Sequence, residues 1–218
     1  MLPKPPEPRP DLGALSGPLS GLSFVASLVA LNALSDARYP TPGSDPAAML
    51  RFFSREHRAA RLGATAQLIC AASLARFSKS VARLASRAGP RSGVLRKTSI
   101  AGGALAATSL ATSALLTATL TTEAAKRPSR AEALYRLMFA TGGPVHGVGL
   151  GLLVGSLGLA TGEIPPRLSK AALAAAAAGV LSPLALVGKA GLVFIPLGRL
   201  SALLVSGIAG IWLARPED

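Results

Sequence analysis

Two residues combine a reactive side chain with an unusual setting: His146 and Arg199, each inside a long run without other charges. An ionisable group within a membrane-length apolar run points to a proton relay or a ligand contact, because such groups are otherwise kept out of bilayers. His146 also has a plain reading, a neutral imidazole hydrogen-bonded to a helix carbonyl or to a hydroxyl of residues 98–122. Arg199 has no carboxylate inside any apolar run to pair with. Either the last helix begins near Pro196 and leaves the guanidinium at an interface, or the guanidinium faces a wet cavity and binds an anion or a helix end. The interfacial placement is the expectation. Glu56 and His57 form one further pair of suitable types, but neighbours on a helix point to different faces. The chain has no serine–histidine–acid order, no carboxylates paired at helical spacing and no phosphate loop. One cysteine, Cys70, and two histidines do not make a structural zinc set. The expectation is therefore a non-enzyme with no cofactor and no metal.

The element that must hold His146 is the stretch TGGPVHGVGLGLLVGSLGLA. Gly143, Gly147, Gly151 and Gly155 recur in it at a strict four-residue spacing. On a helix that spacing stacks them along one face and lets a neighbouring backbone approach closely, as in membrane helices. Four interior glycines would cost a soluble helix about 3–4 kcal/mol relative to alanine. Close packing is the reason to keep them.

Composition agrees with a membrane setting. The chain is 50% hydrophobic and 15% charged, with a mean hydropathy of +0.47, against roughly a quarter charged in ordinary soluble domains. The net charge of +13 comes from basic residues between apolar runs, and aromatics are only 4% of the chain. That pattern suits loops facing anionic lipid and excludes nucleic acid as the expected partner. The fold class expected is all-α: a polytopic membrane helix bundle over 12–214, with tails at 1–11 and 215–218. Spans are read near 12–35, 59–77, 98–122, 137–162, 171–188 and 190–214. The second is the weakest, apolar only between Arg61 and Arg76. Charge asymmetry alone prefers five spans, with the second not crossing.

Between the first two spans, Asp45 then Pro46 makes a helix start, a capping carboxylate followed by proline. Met49, Leu50, Phe53 and Ala60 then share one face and Arg51, Ser54, Arg55 and Arg58 the other, which predicts a short amphipathic interfacial helix with its basic side in the headgroups or, equally, a solvated helix packed on the protein's outer surface. After the second span, Arg76, Lys79, Arg83 and Arg87 lead a basic run to Lys97, expected on anionic headgroups at the cytoplasmic leaflet. Ser129 and Glu132 read as a capping box for a helix starting near Arg130 and running into the glycine-faced stretch.

The segment FFSREHRAARLG, with Phe52, Phe53, His57, Arg58 and Gly63, resembles a group of uncharacterised six-span membrane proteins common in actinobacteria. The resemblance implies six helices and a bacterial plasma membrane, and brings no activity with it. Taken together, these features lead to an integral membrane protein, structural or partner-binding through its glycine-faced helices, either as a homo-oligomer or with a membrane partner. The alternative is a small transporter or channel using His146 and Arg199 in a polar cavity.

Overall fold

The computed structural model describes residues 11–40, 45–124 and 126–215, with the side chain of Pro128 left aside. The expected tails, apart from Asp11 and Arg215, lie outside them, as does part of the proline-rich loop at 41–44. Among the described residues all regular structure is helical.

α1 (Ser16–Ala33) follows a single 3-10 turn, Leu12–Leu15, whose amide at Gly13 is capped by Asp11 Oδ1 at 3.0 Å. Its pattern inverts that of a soluble helix. Leu12, Leu15, Leu19 and Leu22 face outward, while Ser16, Ser20, Ser23 and Ser27 are buried. Outward leucines suit lipid, and small inward hydroxyls let helices close up. Three of these hydroxyls are satisfied locally, Ser16 donating to the Gly13 carbonyl at 2.5 Å, Ser20 to Gly17 at 2.6 Å and Ser23 to Leu19 at 2.7 Å.

α2 (Pro46–Arg55) starts as expected, with Asp45 accepting from the Ala47 amide at 3.2 Å. It is not laid on the headgroups by its apolar side. Met49, Phe52 and Phe53 are buried against the protein, in a cluster with Leu31, Leu120 and Met138. Its arginines are the side left outward, because three large apolar side chains bury more area in that groove than at an interface.

α3 (His57–Ala85) runs antiparallel to α1 along its whole length. Arg83 reaches Asp11 at one end, and Gly63 is packed by the Leu31 side chain at the other. It is longer than the expected 59–77. α4 (Ser92–Glu123) returns beside it. α5 (Pro128–Ala140), a five-residue π-turn (Thr141–Val145) and α6 (His146–Leu159) form one continuous helix, so Pro144 is absorbed by the π-turn without a break. The capping box does not form. Pro128 takes the first helical position, and Glu132 instead pairs with Arg136 at 2.6 Å. α7 (Pro166–Val180) ends earlier than the expected 188, where Pro183 stops it, and the 3-10 turns Ser182–Leu186 and Lys189–Val193 lead into α8 (Phe194–Leu213).

The helices close a ring: α1 packs on α3, then α4, α6, α7 and α8, and α8 returns to α1. Five segments are long and apolar enough to cross a membrane: Leu12–Ala33, Gly89–Glu123, Ser129–Leu159, Pro166–Leu186 and Lys189–Leu213. α3, the remaining member of the ring, is not among them, since arginines and a lysine occupy both of its ends.

Candidate functional site

The glycines set how near the ring helices come. Gly147, Gly151 and Gly155 all face α7: a Cβ on Gly151 would lie 2.9 Å from the Ala176 carbonyl, and one on Gly147 2.9 Å from Ser182 Cβ. Gly143 faces Ile195. The opposite side of α6 uses a glycine the four-residue row does not include, Gly149, which meets Ala106 and Gly102 of α4. The alternation of Gly147, Gly149 and Gly151 and the Gly102–Gly103 pair were the signals for this second contact. Gly198 completes the set, as a Cβ there would come within 2.7 Å of the Gly179 backbone. It draws α8 onto α7 and carries Arg199 with it.

That approach decides where Arg199 goes. Gly210 of α8 packs beside Ala14 of the 3-10 turn before α1, and Arg199, eleven residues earlier, lies about 16 Å along α8 from that contact at the helical rise. The helix begins at Phe194, near the expected start at Pro196 and five residues before Arg199. The guanidinium carbon sits 5.0 Å from the centroid of the Phe24 ring on α1. Part of the residue reaches the surface, but Nε and Nη2 are shut off from it and have no hydrogen-bond partner among the described residues. Gly147 and Gly198 both approach Gly179, which puts their neighbours His146 and Arg199 at one level of the bundle. Burial holds the Tyr39 phenol above its ordinary range, aided by Tyr135 and opposed by Arg199. Tyr39 is therefore not an anion for Arg199.

His146 is fully buried, with Nδ1 2.8 Å from the Ala106 carbonyl oxygen. A carbonyl only accepts, so Nδ1 carries the proton and the neutral ring presents Nε2 as a bare acceptor. Nε2 is buried and unpartnered, as are the hydroxyls of Ser27, one turn from Phe24, and Ser206, two turns from Arg199. Buried polar atoms are nearly always hydrogen-bonded.

The remaining expected residues sit elsewhere. Arg76 and Lys79 are exposed near the N-terminal face, beside a groove of about 490 Å³ between α1 and α3 lined by Leu12, Leu15, Leu19, Ile69 and Arg76. Arg83 is taken up by Asp11, and Arg87 is exposed. Glu123 does not approach the interior site and lies 3.6 Å from Arg130. His146 and Arg199 therefore share one level of the bundle, with Phe24 beside the guanidinium, and the basic run stays at the rim. No family model matches the chain, and neither the curated proteins nor the solved structures contain a detectable match.

Proposed function

We propose that this is a small six-span transporter of the bacterial plasma membrane, handling its solute at the buried layer of Arg199 and His146. The observation that carries the reading is the guanidinium of Arg199, set against Phe24 of α1 with Nε and Nη2 buried and without a hydrogen-bond partner among the described residues. A mid-bilayer arginine costs at least about 2.5–3.5 kcal/mol on insertion scales, and no acid in the bundle offsets that. The π-turn that interrupts the helix just before His146 supports the reading, since solute sites of transporters are built at broken helices.

Six crossings are proposed because α3 fills a place in the ring. Between Arg61 and Arg76 its outward side chains, among them Leu62, Leu68 and Ile69, carry no charge. That band is about 21 Å long, and the flanking arginines extend it by reaching toward the headgroups. The bacterial plasma membrane follows from the resemblance of the Phe52–Gly63 motif, and the basic run from Arg76 to Lys97 puts the N-terminal face on the cytoplasmic, anionic leaflet. The glycine face formed by Gly147, Gly151 and Gly155 is covered within the same chain, which favours the transport reading over a structural or partner-binding role that uses that face.

The test is solute-driven current or flux in proteoliposomes across a panel of inorganic anions, carboxylates, sugars and amino acids, for the native protein and Arg199→Ala. Flux lost in Arg199→Ala, with that variant still monodisperse in detergent, supports the proposal. Flux unchanged by the substitution, or absent for every solute, overturns it.

A further inference from the structure

We infer that the group Arg199 receives is a monocarboxylate, gripped side-on; this rests on the transport reading and names its substrate class. The guanidinium is planar, and its N–H bonds leave in fixed directions. The Nε–H and one N–H of Nη2 run parallel along one edge, spaced to meet both oxygens of a carboxylate in paired charge-assisted bonds. These are the two nitrogens that are buried and without partners. The Phe24 ring lies 5.0 Å over the guanidinium carbon and closes one flat face. The two N–H bonds lie in the guanidinium plane along that edge, which favours two oxygens side by side over a spherical ion.

The charge count selects a monoanion. Arg199 supplies one positive charge. His146, with its Nδ1 proton held by the Ala106 carbonyl, turns a lone pair into the layer. A dianion would keep one uncompensated charge inside a low-dielectric bundle, and a second carboxylate would meet the Nε2 lone pair unfavourably. A carboxylate can reach this layer from water, as a short acid, or from the bilayer, as a fatty acid. The recognising chemistry is the same.

Binding to the purified protein in non-ionic detergent decides the point, measured by calorimetry and by thermal stabilisation. The probes are propionate and benzoate for the aqueous source, dodecanoate for the lipid source, and chloride, sulfate and succinate as competitors of other shapes and charges. Propionate, benzoate or dodecanoate should bind at least tenfold more tightly than chloride, sulfate or succinate. Arg199→Lys keeps the charge but loses the fork; it should weaken the carboxylate at least tenfold and leave chloride within threefold. Saturation by the short acids assigns an aqueous substrate, and saturation by dodecanoate alone assigns a lipid-derived one. Chloride, sulfate or succinate binding as well as the monocarboxylates would overturn the inference while leaving an anion site intact. No binding of any anion would remove both the inference and the transport reading. Should Arg199→Lys fail to fold, the selectivity order of the native protein still decides.

Discussion

Asp11 and Arg83 lie 72 residues apart in sequence and 2.7 Å apart in space, joining the start of α1 to the end of α3. Partial burial works to raise the Asp11 carboxyl. The Arg83 and Ser80 hydrogen bonds, the Arg83 charge and the Gly13 amide outweigh it and hold the carboxyl below its ordinary value of 3.8. A depressed carboxylate stabilises the fold above its ordinary pKa, and that contribution disappears as pH falls through the folded value. Arg83 is 60% exposed, so the pair contributes only about 0.2–1 kcal/mol. Melting curves should show Asp11→Asn less stable than the native protein at about pH 6, with the gap closing as pH falls toward about 3. A gap independent of pH would mean that the ion pair is not its source.

The glycine positions should differ sharply. A side chain at Gly151 runs into backbone, the Ala176 carbonyl and the Val180 amide at 2.9 and 3.0 Å, which cannot move aside alone. Gly155 faces only the Ala176 methyl at 3.2 Å. Gly151→Leu should destabilise by about 2–3 kcal/mol or more, whereas Gly155→Ala should stay within about 1 kcal/mol, helix propensity offsetting the tight contact. Fluorescence-detected gel filtration after heating ranks the two. Equal melting points would show that the α6–α7 seam is looser than described.

These contrasts explain what the sequence made legible. Five apolar segments could be read because an uncharged run of membrane length has few other uses. α3 was the hard case: Arg58, Arg61, Arg76, Lys79 and Arg83 dilute its hydropathy, although they cluster at its ends. The glycine row was visible from its spacing, but its partner helix was not, since periodicity identifies a face and not what covers it. Arg199 was expected at an interface because Pro196 suggested a helix start there. The helix does begin nearby, at Phe194. What brings Arg199 level with His146 is the close approach of Gly198 to Gly179, a contact between distant segments that no local pattern encodes. Phe24 joins the site for the same reason, and nothing in its neighbourhood distinguishes it from a lipid-facing aromatic.

The opposite face is closed by aromatic rings. Phe53 is fully buried and meets Phe52 at 5.3 Å, Tyr39 at 6.3 Å and Tyr135 at 6.3 Å between centroids, all edge-on. Such pairs add about 0.5–1.5 kcal/mol beyond area burial. Phe53→Ala should therefore cost about 3–5 kcal/mol locally, and the loss should appear as α2 detaching while the ring stays closed. Hydrogen exchange is the suitable measurement: amides of Pro46–Arg55 should lose protection while those of Ser92–Glu123 keep it. Uniform loss across both would show that the cap and the ring unfold as one unit.

The crossing of α3 can be tested from its two ends. Ser54, at the end of α2, and Ser86, just past α3, are both exposed, and 29 helical residues separate their levels. In a Cys70→Ala background, Ser54→Cys and Ser86→Cys should react with an impermeant maleimide from opposite sides, the first in right-side-out vesicles and the second in inverted ones. Native Cys70, buried near the middle of α3, should resist the same bulky reagent from both sides. Labelling of the two engineered thiols from one side would put α3 along the membrane surface. The helical ring would then lack a member, α1 and α4 would lose the neighbour between them, and the buried layer around Arg199 would open to lipid.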